Sequence, residues 1–219
     1  WFTGRNNHLY LRELIHLMKE LVTFESFLLK NSTFDEENLS IQLSLLSHKI
    51  KKQAIKKGDF IMKPGDNCSH SFFVESGLLR YYSMDDKGKE HILHFAPEGW
   101  ILSDRDSIYF NIPTNYYMEA LEDSTVILLE NDFFTSLSTD VKLVSAFNER
   151  LLHNHIRHLQ KRITQLLSAT AEERYLDFVK LYPDIMLRVP QWMVASYLGI
   201  APESLSRVRK DLANKWKAQ

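Results

Sequence analysis

From about residue 50 to 132 the apolar residues stand in short runs, at 60–62, 71–74, 78–82, 91–95, 116–120 and 125–129. Glycines at 58, 65, 77, 88 and 99 break the text every 7 to 12 residues, which is turn spacing for short strands. Asp85-Asp86-Lys87-Gly88 reads as a hairpin turn between two of them. Many short strands at even spacing predict a sandwich or jelly roll.

From Asp140 the period becomes helical. Val144, Phe147 and Leu151 recur at 3 and 4 residues, then Leu152, Ile156, Leu159, Ile163 and Leu166 at 4, 3, 4 and 3. The second series is an a/d seam over about two heptads, flanked by Arg150, Arg157, Lys161 and Arg162. It reads as a dimerisation helix or as a helix packed on its own β domain. Thr170-Ala171-Glu172-Glu173 has capping-box spacing and opens a helix that stops at about Tyr182, before Pro183. Residues 190–212 then read as a helix–turn–helix. Met193, Val194 and Leu198 form one apolar stripe, Gly199 closes that helix, Ile200 fills the corner and Ala201-Pro202-Glu203 restarts a helix. Leu205, Val208 and Leu212 face inward, while Glu203, Arg207 and Lys210 recur at i, i+4 and i+7 on the opposite side. Arg can fork onto guanine, Glu can accept from cytosine and Lys can neutralise a phosphate. The bland reading of the same face is a solvated helical hairpin.

Charge changes the picture. Residues 1–140 hold 14 Lys+Arg and 21 Asp+Glu, a balance of −7, whereas residues 141–219 hold 13 and 7, a balance of +6. A total of −1 therefore hides two opposed halves, and the basic one suits a polyanion. The single cysteine, Cys68, excludes an internal disulfide, a Cys-rich zinc site and a four-cysteine cluster. No apolar run approaches a membrane span, and Arg12, Glu13, Lys19, Glu20 and Glu25 interrupt the stretch 9–29, so a cytoplasmic protein is expected. Residues 1–17 are set apart as an added or upstream extension.

The order of these parts resembles the Crp/Fnr family of bacterial transcription regulators. The resemblance rests on Lys57-Gly58-Asp59, Pro64-Gly65-Asp66, Glu75-Ser76-Gly77-Leu78-Leu79-Arg80, Asp86-Lys87-Gly88-Lys89-Glu90 and Pro97-Glu98-Gly99. Ala171-Glu172-Glu173-Arg174-Tyr175 and the stretch from Ala195 to Arg207 complete it, the latter looking like a Bacteroidetes-type branch. The resemblance implies a homodimer whose two recognition helices enter successive major grooves of a near-palindromic duplex. It also implies RNA polymerase as a partner and a small-molecule effector in the β domain. The DNA-binding set it implies is Gln191, Glu203, Ser204, Ser206, Arg207 and Lys210, with Glu203 and Arg207 at base-reading positions and Ser204, Gln191 and Lys210 on phosphates. Pro202 replaces an arginine that reads a base in well-known members. Leu152, Ile156, Leu159 and Ile163 are the expected dimer contacts.

The cyclic-nucleotide pocket of the family falls on Ser103, Asp104, Arg105, Thr114, Asn115, Leu159 and Gln160. Asp104 could accept from a ribose hydroxyl, but no cation stands opposite the phosphate unless Arg105 rearranges. Classical cyclic AMP is therefore not the expected effector. Cys68-Ser69-His70 resembles a haem-ligand pair yet lies in the wrong turn, so Cys68 is expected as a surface-turn residue. His91 and His94 differ in strand parity, and His153, His155 and His158 are expected to be solvated or at the dimer edge. No metal, cofactor or catalytic residue is assigned. Only Ala213–Gln219 follow Leu212, too few for a wing, and Lys215 and Lys217 could touch phosphates instead.

The expected class is α+β. A jelly-roll sensor domain with N-terminal helices covers 18–139, a dimerisation helix 140–168 and a helix–turn–helix 169–219, winged-helix-like with the wing short or absent. Two rivals remain open: a ligand-binding module whose helical tail contacts protein, and a cupin-like metalloenzyme.

Overall fold

A computed structural model describes residues 24–33, 35–138 and 140–217; the extension assigned to residues 1–17 lies outside them. The described chain forms two compact units. The first holds the residues up to Tyr81 together with Phe95–Leu152, and the second holds Tyr82–His94 and the chain from His153 onward.

The first unit opens with helices α1 (Phe24–Asn31) and α2 (Glu36–Leu45). Strands follow as β1 (Ile50–Ile55), β2 (Phe60–Met62), β3 (His70–Ser76), β4 (Leu79–Met84), β5 (Glu90–Ala96), β6 (Ile101–Leu102), β7 (Tyr117–Ala120) and β8 (Ser124–Glu130). They make two four-stranded sheets, in the orders β1-β8-β3-β6 and β2-β7-β4-β5. Short helices α3 (Arg105–Phe110) and α4 (Phe133–Ser136) lie among them, and the tip of the β4–β5 hairpin belongs to the second unit. All six predicted runs form strands. β1 was not foreseen, because its text, IKKQAI, is half polar with three polar residues in a row: it pairs through β8 at a sheet edge, and Lys51 and Lys52 stay exposed. The two-residue β6 is too short to leave a periodic trace.

Strand β3 shows why the apolar runs lack strict alternation. Phe72 and Val74 pack in one cluster with Met62, Leu79, Met118 and Val126, while Phe73 turns to another with Phe24, Leu28, Leu129 and Phe133. Both faces of the strand are therefore covered, and a continuous apolar run is what that requires. Pairing of β3 with β8 slips by one residue between Val74 and Ser76. Gly77 follows at φ +91°, where a Cβ would come within 2.2 Å of Ser124 Oγ, so glycine is demanded by backbone and space together.

The long helix α5 (Val141–Ser168) buries Val144 and Phe147 in the first unit. In the second unit come α6 (Ala171–Leu181), α7 (Ile185–Arg188), α8 (Gln191–Leu198) and α9 (Pro202–Lys217). The predicted capping box is present, with Thr170 Oγ1 accepting from Glu173 N and Glu173 Oε2 accepting from Thr170 N at 2.8 Å. Phe178, Tyr182 and Tyr197 form the aromatic centre, with ring centroids 5.2 to 5.6 Å apart. Val194, Leu198, Leu205 and Leu212 close the core around it. Among the described residues no helix is long and apolar enough to cross a membrane.

Candidate nucleic-acid interface

Helices α8 and α9 are set by one turn. Gly199 takes φ 64° and ψ 37° at the end of α8; its N–H and that of Ile200 bond to Ser196 O and Ala195 O, and α9 begins at Pro202. Leu205 and Leu212 are buried, and Val208 is half-buried, so the inward face of α9 is the predicted one. Glu203, Ser206, Arg207 and Lys210 are exposed, Ser204 is half-buried, and Gln191 is exposed as the first residue of α8. The structure thus brings Glu203, Arg207 and Lys210 onto one open face of a sixteen-residue helix. α9 runs past Leu212 to Lys217, so the segment after Leu212 continues the helix. Lys215 is held by Glu172 on α6 at 2.8 Å rather than standing free for phosphate; the Lys217 side chain lies outside the described residues.

One device that positions α8 escaped the sequence reading. Ser196 Oγ donates to Glu90 O at 2.9 Å and accepts from Ile92 N at 3.1 Å, pinning the β4–β5 hairpin to the helix. Arg162 donates to Ile92 O and Tyr197 O, with its guanidinium 3.7 Å from the centre of the Tyr197 ring. A lone serine inside the apolar word WMVASYL was the available signal. Arg162, read only as a flank of the seam, is turned inward.

His155 and His158 differ from the solvated reading of the seam helix. His94 faces His155 and His158, with ring centroids 6.1 and 5.7 Å away, so the latter two form a partly buried group instead of a solvated edge. Burial, then the neighbouring His158, Arg162 and His155, push the His94 pKa down to about 3. His91 points elsewhere, to Asp85 at 3.0 Å, as its strand parity predicts.

The cyclic-nucleotide positions are engaged internally. Asp104 is buried at the start of α3, where its Oδ1 accepts from Ser107 N at 2.9 Å and its Oδ2 accepts from Tyr81 OH and Thr114 Oγ1. Asp104 and Thr114 are therefore brought together, but three protein donors already use the carboxylate expected to meet a ribose. Burial and the Asp104 charge raise the Tyr81 phenol well above its ordinary pKa, so it remains a donor. Arg105 and Asn115 are exposed, Arg105 lying over the Tyr109 ring, and Ser103 is half-buried. Leu159 and Gln160 stand on α5 in the helical unit. Arg80 is buried, but Glu119 holds it at 2.6 Å. Cys68 is half-buried against the inter-sheet cluster, its thiol donating to His70 O, which corrects the surface-turn reading; burial raises the thiol pKa.

On α5, Leu152, Ile156, Ile163 and Leu166 are 40 to 57% exposed, and Leu159 is half-buried. The seam therefore leaves an apolar stripe in contact with water.

The cyclic nucleotide-binding domain matches this chain over residues 52–140. The anaerobic regulatory protein of Pasteurella multocida is 27% identical over 169 residues, covering 72% of this chain and 61% of that protein. The transcriptional activator protein anr of Pseudomonas aeruginosa is 29% identical over 167 residues, covering 70% of this chain and 67% of its own length. The match thus spans 61 to 65% of the length of the first curated relatives. Among solved structures, FixK2 from Bradyrhizobium japonicum aligns with a TM-score of 0.63 at 20% identity, covering 76% of this chain and 85% of that one. A protein from Eubacterium rectale described as a transcriptional regulator of the Crp/Fnr family aligns at 0.59 with 21% identity, over 80% of this chain and 84% of its own.

Proposed function

We propose that the chain is a homodimeric, sequence-specific DNA-binding transcription regulator of the Crp/Fnr type rather than an enzyme. The observation that carries this reading is the face of α9 on which Glu203, Arg207 and Lys210 stand exposed while Leu205 and Leu212 anchor the opposite side. Arg207 and Glu203 read base edges, and Ser204, Ser206, Gln191 and Lys210 hold the backbone in register. The wet apolar stripe of α5, centred on Leu152, Ile156, Leu159 and Ile163, is the surface that joins two copies. RNA polymerase is the expected protein partner, and the site of action is the cytoplasm.

An effector bound by the β unit sets the activity, and it is not classical cyclic AMP. Asp104 already accepts from Ser107 N, Tyr81 OH and Thr114 Oγ1, and Arg80 is paired with Glu119, so a buried phosphodiester would lack a paired cation. An unpaired buried charge costs several kcal/mol.

Fragments of genomic DNA selected on the purified protein, with and without cell extract, test the reading. A defined near-palindromic motif should emerge, and its retention should weaken steeply as salt rises. Fragments held without sequence preference, or no salt-dependent retention at all, would favour a helical tail that contacts protein.

A further inference from the structure

Helices α5, α6 and α8 enclose a cavity of about 80 Å³ in the helical unit, several times the ~10–15 Å³ that one water requires. Its charged lining is Lys161, Arg162, Arg174 and Asp177, and Phe178 and Leu198 are among the apolar groups beside them. Two of the cations are committed: Arg162 to Ile92 O and Tyr197 O, and Lys161 to Asp177 at 3.1 Å. Gln165 bonds to the same carboxylate. Arg174 differs. Its Nε is buried and has no hydrogen-bond partner among the described residues, although Asp177 lies one helical turn away on its own helix.

The carbonyls that a guanidinium could take at the end of α8 already have donors. Ile200 N bonds to Ala195 O, Gly199 N to Ser196 O and Arg162 to Tyr197 O. Arg174 Nη1 sits beside them, 3.6 Å from where Gly199 would carry a Cβ. A half-buried guanidinium whose Nε–H is buried and unpartnered, in a hollow where three cations face one occupied carboxylate, lacks an anion.

We infer that this cavity binds a small oxyanion carried on a short apolar body, with Arg174 as the principal ligand and Lys161 at the exposed mouth. The planar fork of Arg174 suits a carboxylate or a phosphate monoester, and Phe178 and Leu198 receive the apolar part. Bound there, the ligand bridges α5, α6 and α8, the helix that precedes the recognition helix. Its regulatory consequence rests on the DNA-binding reading, but its binding does not.

The test uses the full chain in thermal denaturation with inorganic phosphate, butyl phosphate, butyrate and the neutral isostere butyramide. Butyrate or butyl phosphate should raise the unfolding midpoint by several degrees, and butyramide should not. Stabilisation by inorganic phosphate alone would restrict the site to a free ion and overturn the apolar part of the proposal. Arg174→Met should abolish the anion effect, and Lys161→Gln, at an exposed position, should weaken it at least threefold in apparent affinity while folding normally. Equal stabilisation of wild type and both variants, or none by any anion, overturns the site. Duplex binding is measured separately: anion binding without sequence-selective DNA retention would sink the regulator reading and leave the cavity assignment standing.

Discussion

Arg207 condenses the functional argument into one side chain. It is exposed because Leu205 and Leu212 take the buried side of α9, and no intramolecular carboxylate is bonded to it among the described residues. A guanidinium held this way keeps its donors for a partner, and guanine O6/N7 matches their fork. Arg207→Ala should weaken binding to the selected site by about 1–3 kcal/mol and relax preference at one base position. Competition between matched and mismatched duplexes measures this; unchanged preference would remove Arg207 from base reading. Asp104 is the opposite case. The family resemblance marks it as a ligand position, yet burial gives it Ser107, Tyr81 and Thr114 as donors. Which role a carboxylate plays depends on what lies within 3 Å, and spacing along the chain does not report that.

At the scale of elements, the β4–β5 hairpin, α5 and α8 are joined through Ser196, Arg162 and the group of His94, His155 and His158. The imidazoles make this contact sensitive to acid. In the unfolded chain His94 takes a proton below about 6.5, whereas the folded one stays neutral down to about 3, chiefly because it is buried beside His158 and Arg162. The stabilisation linked to neutral His94 is therefore complete above pH 6.5 and is lost progressively as pH falls toward 3. At pH 5 the loss is on the order of 1–2 kcal/mol. Urea denaturation at pH 7 and pH 5 should show a larger drop for wild type than for His94→Leu by that amount. Equal drops would mean that the histidine group carries no linkage.

For the whole molecule the question is association. A sheet edge can be managed by charge, as Lys51 and Lys52 do on β1, but on α5 the flanking cations leave Leu152, Ile156, Ile163 and Leu166 themselves exposed as an apolar stripe. Pairing two copies along it would remove the stripe from water and supply the two α9 helices that a near-palindromic duplex requires. The double change Ile156→Glu and Ile163→Glu should yield a folded monomer by light scattering and abolish high-affinity duplex binding. A dimer that persists in the variant would place the subunit contact elsewhere.

How much was legible divides along a physical line. Local patterns determine local structure: the glycine-punctuated runs became strands, the 4-3-4-3 spacing became α5, Thr170 and Glu173 made their capping box, and Gly199 closed α8 with a left-handed residue. The open face of α9 followed from the same arithmetic, because a helix repeats every 3.6 residues wherever it stands. β1 was lost to that reading, since an edge strand that buries only Ile55 needs little apolar text. Contacts between residues far apart in the chain were decided by tertiary structure alone. Ser196 meets Glu90 and Ile92, His94 meets His155 and His158, Asp104 is consumed by Tyr81 and Thr114, and Arg174 is left with a buried N–H. Side-chain type and spacing say what a group is able to bond; only packing in three dimensions says which partner reaches it first.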